Sequence, residues 1–258
     1  MAQKVVLITG ATSGIGRATA ILLSSIPEEY KLILTGRRAE RLEAIHDEIK
    51  NSTGAECRIL AFDVRDLSAI DSALSSLSNE WQNVDILINN AGLAKVMDEI
   101  QEGNIDHWET MIDTNVKGLL YMSRRITPGM VQRRSGQVIN VCSLAGKEVY
   151  PKGNVYNASK FAVEALTRAM RLDLYKYNIR VGSISPGAVE ETEFSMVRYD
   201  NDAEKANIYQ NYTPLTAKDV AEAILFMISR PPHVNIQDIL LMSTQQGNST
   251  LIDRSGRL

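Results

Sequence analysis

"KVVLITGATSGIGRATA", residues 4–20, sets the fold. Val5, Val6, Leu7 and Ile8 are consecutive aliphatic residues, three of them β-branched, and so short an apolar run reads as a strand buried on both faces. Three glycines follow, Gly10, Gly14 and Gly16, and a helical period of apolar residues opens at about residue 14. Without a Cβ the chain can turn tightly, and its backbone N–H groups can approach a pyrophosphate at the helix N-terminus. The spacing is GxxxGxG rather than GxGxxG. In a strand–turn–helix context it still predicts nucleotide binding.

The same alternation runs to the end of the chain. "KLILTG" (31–36), "CRILAF" (57–62), "DILIN" (85–89), "QVINVC" (137–142), "IRVGSIS" (179–185) and "DILLM" (238–242) read as further doubly buried strands. Helical periods lie near 14–25, 38–50, 67–78, 106–134, 155–177 and 217–229. Strands alternating with helices predict a Rossmann-like doubly wound parallel sheet of about seven strands in an α/β fold. Nothing divides the chain, so residues 1–258 read as a single domain. One polar segment, 186–216, follows a strand end. Ligands of open α/β sheets bind at the carboxyl ends of strands, so this segment is expected to form a substrate lid.

Composition narrows the function. The 258 residues are 44% hydrophobic, which is ordinary for a water-soluble domain. A net charge of −3 with no basic block argues against nucleic acid. Three scattered histidines (His46, His107, His233) offer no metal-ligand spacing, so no metal is expected. Cys57 and Cys142 sit far apart in apolar company and read as core thiols of a reducing compartment. No apolar run approaches the roughly 20 residues that span a bilayer, and the N-terminus reads as no leader, so no membrane partner and a cytoplasmic location are expected.

The second strand ends "LTGRR", with Arg37 and Arg38 where an NAD site usually places an acid. Arginine's planar fork matches phosphate oxygens, so NADP is the expected cofactor, with Arg17 a further positive group. Asp63, at the end of the third strand, is placed to reach an adenine edge. Further on, "VYNASKFAV" (155–163) sets Tyr156 four residues before Lys160, on one face of a helix. A nearby ammonium favours the phenolate and makes the pair a candidate proton donor.

These residues together resemble the short-chain dehydrogenase/reductases over nearly the whole chain. The resemblance is carried by "TGATSGIG" (9–16), "NNAG" (89–92), Asn115, Ser143, Tyr156, Lys160 and "PG" (186–187). More narrowly, "WETMIDTN" (108–115), "VYNASKFAV" and "TEFSMVRY" (192–199) resemble the NADP-dependent 3-hydroxy acid dehydrogenases. That likeness implies hydride transfer between NADP and the 3-hydroxyl of small 3-hydroxy acids such as serine. It also implies a catalytic tetrad of Asn115, Ser143, Tyr156 and Lys160. Asn115 would hold a water beside Lys160, and Ser143 would hold the substrate oxygen against Tyr156. Cofactor contacts are implied from Gly10, Ser13, Gly14, Ile15 and Gly16, from Asn90 and Gly92, and from Val189, besides Tyr156 and Lys160. Asn89 is expected to brace the sheet.

Two further expectations concern partners. A 3-hydroxy acid brings a carboxylate that needs a cation. Arg198, the only arginine between Arg180 and Arg230, is the expected clamp, with Lys147 second and Lys205 further on. Ala158, Ala162, Ala165, Ala169 and Leu172 form a small-apolar stripe on the 155–177 helix. Core packing explains such a stripe, while the resemblance suggests burial against a second subunit of a homotetramer. Other readings stay open: a reductase of sugars, ketones or aldehydes, or a catalytically silent dinucleotide sensor.

Overall fold

The computed structural model describes residues 3–190, 192–198 and 209–258. Seven parallel strands stand in the order β3-β2-β1-β4-β5-β6-β7. They are β1 (Lys4–Ile8), β2 (Tyr30–Gly36), β3 (Cys57–Ala61), β4 (Ile86–Asn89), β5 (Gly136–Val141), β6 (Ile179–Pro186) and β7 (Asp238–Leu241). The helices are α1 (Gly14–Ser24), α2 (Ala39–Ser52), α3 (Leu67–Ser75), α4 (Asn79–Gln82), α5 (Ile105–Ile112), α6 (Leu119–Arg133), α7 (Asn154–Leu174), α8 (Phe194–Arg198) and α9 (Ala217–Ile228).

Strand residues alternate between two apolar layers. Val6, Ile8, Ile88 and Ile139 pack with Leu23 of α1 and Ile224 of α9 on one face. Val5, Leu7, Leu87 and Val138 pack with Ile70 of α3 and Met122 of α6 on the other. Because side chains point to opposite faces in turn, a strand covered by helices on both faces must be apolar throughout. That accounts for the continuous runs in the sequence. The expectation fails at β3 and β7, where the exposed residues include Arg58, Ala61, Asp238 and Leu240. Both are edge strands, each with a neighbour on one side alone.

The strand order reverses between β1 and β4, the switch point of a doubly wound sheet, and a crevice opens there at the strands' carboxyl ends. Asn89 and Asn140 are partners in the β4–β5 register. Asn89 Nδ2 donates to Ser123 Oγ at 3.0 Å and to Asn140 Oδ1 at 2.9 Å, while Asn140 Nδ2 donates to Thr167 Oγ1 at 2.8 Å. Asn89 thus braces the sheet as expected, tying β4 and β5 to α6 and α7. The helical run expected over 106–134 is interrupted in one respect. Between α5 and α6, Asp113–Gly118 form a π-helical turn, and Asn115 lies in it.

Candidate active site

The turn after β1 and the turn after β4 are built against each other. Gly10 has φ +66°, and a Cβ there would lie 2.9 Å from Ala91 Cα. A Cβ on Gly16 would lie 2.4 Å from Asn90 Nδ2, so only hydrogen fits. Asn90 Nδ2 donates to Thr9 O at 2.8 Å and Gly10 O at 3.1 Å. Thr9 Oγ1 in return accepts from the amides of Asn90 and Ala91, at 3.0 and 2.9 Å. These bonds fix the floor at the N-terminus of α1. Ser13, the N-cap of α1, makes no side-chain capping bond, so the partial positive charge of the helix end faces the crevice.

A cleft of about 500 Å³ runs from this turn to the helix bearing Tyr156. Its walls include Gly10, Ser13, Gly14, Ile15, Asp63 and both arginines at one end, Asn90, Gly92 and Val189 midway, and Ser143, Tyr156 and Lys160 at the other. A second, more open cavity lies beside Val149 and Phe161, away from these groups.

At the basic end, Arg38 Nη2 donates to Thr12 Oγ1 at 3.0 Å and pairs with Glu193 at 2.8 Å. Arg41 also pairs with Glu193. Arg37 is more open and lies 3.8 Å from Asp63. Asp63 accepts from both Nε and Nη2 of Arg65. Partial burial pushes its carboxyl up, yet the bonds from Arg65 with the Arg37 charge bring the net shift below the usual range. Arg17 does not join this group. Its guanidinium pairs with Glu48 of α2 at 2.5 Å, on the exposed side of α1.

At the other end, Tyr156 is 6% and Lys160 5% exposed. Lys160 Nζ lies 6.0 Å from the Tyr156 ring centroid and donates to Val141 O at 3.1 Å. Burial pushes its ammonium pKa down, opposed weakly by the nearby Cys142. Phe194 packs on Tyr156 with ring centroids 5.6 Å apart. Ser143 Oγ accepts the Ala145 amide at 3.1 Å, which orients the hydroxyl as β5 ends. A Cβ on Gly92 would lie 3.2 Å from Asn115 Oδ1 and 3.4 Å from Lys160 Nζ, so all three meet at one point.

The Asn115 side chain bridges two elements of the site. Its Nδ2 donates to Leu93 O at 2.8 Å and Ser159 Oγ at 3.0 Å, and its Oδ1 accepts from the Leu93 amide at 2.8 Å. Both donors are consumed in pinning the chain after "NNAG" to α7. One expectation is corrected here: Lys147 is not a carboxylate clamp. Its ammonium lies 3.0 Å from Glu164 and 2.8 Å from Asp238, a carboxylate pair that holds it outside the cleft. The Arg198 side chain and Lys205 lie outside the described residues.

Sequence reasoning missed several wall residues. Thr192, Glu193 and Phe194 stood only within a motif of resemblance, and Arg41 was not singled out. The C-terminal tail adds Ser249, Ile252 and Arg254 to the cleft. Arg254 Nη1 donates to Gln210 O at 2.6 Å, and its guanidinium lies 5.1 Å from the Tyr212 ring centroid. No local pattern marks a tail that returns to the site.

A glycine-floored crevice at the switch point, with a buried tyrosine–lysine pair at its far end, defines a dinucleotide-dependent enzyme of the doubly wound class. The family model for short chain dehydrogenase matches residues 4–203, and the chain belongs to that family. It is 45% identical over 248 residues to the NADP-dependent 3-hydroxy acid dehydrogenase of Escherichia coli (strain K12), covering 96% of this chain and 98% of the relative. With the NADP-dependent 3-hydroxy acid dehydrogenase of Schizosaccharomyces pombe it shares 41% over 252 residues, 97% and 96% of the two chains. The closed form of a serine dehydrogenase complexed with NADP+ superposes with a TM-score of 0.89 at 44% identity, covering 96% and 98%.

Proposed function

We propose that the protein is an NADP-dependent oxidoreductase acting on the 3-hydroxyl of small 3-hydroxy acids such as serine. The observation that carries this reading is one cleft joining the glycine floor, Arg37 and Arg38, and the Tyr156–Lys160 pair. Full-length relatives with that activity support the substrate class.

The residues present fit the dinucleotide. Gly10, Gly14 and Gly16, with the amides after Ser13, suit the pyrophosphate, and Ile15 completes the turn. Arg38 and Arg37 suit a 2′-phosphate, Asp63 the adenine edge, and Asn90, Gly92 and Val189 the middle of the cofactor. Bound there, NADP accepts or supplies hydride at its nicotinamide ring. Everything else is done by the protein. Ser143 Oγ holds the substrate oxygen toward Tyr156. In oxidation Tyr156 Oη takes the alcohol proton, and in reduction it gives one to the carbonyl oxygen. A phenolate at Tyr156 also stabilises the ammonium of Lys160, which burial disfavours and which has no carboxylate partner among the described residues. Asn115 acts as a positioning residue that fixes Leu93 and Ser159 around this pair.

Arg198 is proposed to meet the substrate carboxylate, with Arg254 on the described wall of the cleft as the competing cation. Segment 186–216 is proposed as the lid. Core packing does not explain the α7 stripe: Ala158, Ala165 and Ala169 are exposed, as are Phe161 at 42% and Leu172 at 73%. A second copy of the chain covers this face, and a homotetramer is proposed on that basis. Among the described residues no helix is long and apolar enough to cross a membrane, and a cytoplasmic location is proposed.

The decisive experiment follows NADP+ reduction with L-serine beside neutral alcohols, with NAD+ as control. Turnover of serine with NADP+ is expected. Turnover of neutral alcohols alone would overturn the substrate assignment.

A further inference from the structure

Three consecutive residues after β6 each touch a different station of the cleft. Thr192 stands over the glycine turn, where a Cβ on Gly14 would lie 3.2 Å from Thr192 Cβ. Glu193 pairs with Arg38 at 2.8 Å and with Arg41. Phe194 packs on the ring of Tyr156. The middle residue therefore places a carboxylate on the guanidiniums of the basic end, 155 positions away in sequence from Arg38.

Desolvation raises the Glu193 carboxyl, but hydrogen bonds from Arg38 and Arg41 outweigh it and hold the pKa at about 2. Glu193 is thus an anion at neutral pH. Arg38 Nη2 already serves Thr12 as well, so its donors on this side are committed. A phosphate arriving at the same guanidinium meets the carboxylate at close range, and like charges there repel. A neutral 2′-hydroxyl brings no such conflict.

We propose that Glu193 is a latch through which the 2′-phosphate of the cofactor releases the three residues Thr192, Glu193 and Phe194, carboxylate and phosphate competing for Arg38 and Arg41. The inference rests on the NADP-binding reading above. Release of Glu193 frees its neighbours as well: Thr192 loses its anchor over the glycine turn, and Phe194 can move against Tyr156. The residue that reports the phosphate is covalently joined to one that packs on the proton donor. Glu193 is a positioning residue in this scheme. It makes NADP binding weaker than the arginines alone would give, and couples that binding to the substrate end.

The test titrates 2′,5′-ADP and 5′-AMP calorimetrically into the full chain, as wild type, Glu193→Gln, Arg38→Met and the double variant. Glu193→Gln should tighten 2′,5′-ADP about tenfold and alter 5′-AMP by less than about twofold. In the Arg38→Met background the gain should fall below about threefold, because the competition has lost its principal ground. Hydrogen exchange of the peptide bearing Thr192, Glu193 and Phe194 should quicken when wild type binds 2′,5′-ADP but not 5′-AMP. In Glu193→Gln it should be fast beforehand. Weaker 2′,5′-ADP binding in Glu193→Gln would mean that the carboxylate orients Arg38 for the phosphate, and an equal gain for both nucleotides would mean a general loosening. Either overturns the latch. If wild type prefers 2′,5′-ADP but Glu193→Gln changes nothing, the latch falls and the NADP reading stands. No preference in wild type removes both.

Discussion

The two ends of the cleft are made differently. The floor of the nucleotide end is backbone: turns after β1 and β4, locked by Thr9 and Asn90 hydrogen bonds and by the absent side chains of Gly10 and Gly16. The substrate end is a convergence of side chains. Tyr156 and Lys160 come from α7, Ser143 from the end of β5, Phe194 from the segment after β6, and Arg254 from the tail. A backbone-built site leaves little to vary, because one added methyl group collides with the opposite turn. A side-chain-built site can change its ligand one residue at a time. Cofactor class thus follows from the fold's geometry, and substrate preference from its loops.

Substitutions can break this contrast, and the largest effect is expected at the proton donor. Tyr156→Phe keeps the ring against Phe194 but removes Oη, so kcat should fall by at least about 10²-fold. Calorimetric NADP+ affinity should change little, because the nucleotide end is untouched. Near-normal turnover would refute the assignment of Tyr156.

Next come the cations of the substrate end. Replacing Arg198 or Arg254 with Ala should lower kcat/KM for serine about 10- to 100-fold in whichever position meets the carboxylate. Neutral alcohols should be spared. Equal losses on charged and neutral substrates would mark that arginine as a wall residue rather than a clamp.

At the nucleotide end the effect is smaller. Arg38→Met should weaken NADP+ about tenfold and leave NAD+ within about twofold, as expected for one partly exposed charge-assisted contact. Arg37→Met should do less, since Arg37 is the more exposed of the two and leans toward Asp63. A reversed order would place the 2′-phosphate beside Arg37.

The smallest effect sharpens the comparison through pH. The Glu193 carboxyl is held at about 2, below its ordinary 4.5, so its contribution to stability is complete above the ordinary value and is lost as pH falls toward about 2. The groups facing it are the guanidiniums of Arg38 and Arg41. At this exposure the contribution should be no more than about 1 kcal/mol. Thermal melts across that window should show a steeper acid slope in wild type than in Glu193→Gln. Identical slopes would show that the ion pair adds nothing to stability.

What the sequence disclosed follows the same division. All seven strands were legible, since strands covered on both faces must be apolar without interruption. The errors at β3 and β7 arose because an apolar run does not announce that its strand is an edge. The glycine turn, Asn90 and the Tyr156–Lys160 spacing are local patterns and were readable as such. Lys147 was misjudged because its partners, Glu164 and Asp238, are 17 and 91 residues away. The pairing of Arg38 with Glu193 was invisible for the same reason. The bonds of Asn115 to Leu93 and Ser159 are likewise beyond a local pattern, since they join residues 22 and 44 positions away.

The π-helical turn at Asp113–Gly118 has a consequence for how such a chain can change over generations. A π turn holds one more residue than the α-helical turn it interrupts. Deleting Val116 would restore an unbroken hydrogen-bonding ladder from α5 into α6, a gain in local regularity. It would also remove the widened turn that carries the Asn115 side chain to Leu93 and Ser159. The surplus residue is therefore a marker of use. A descendant that lost it would have a more regular helix and an unsupported site, so the irregular turn should persist only in lineages that keep the chemistry.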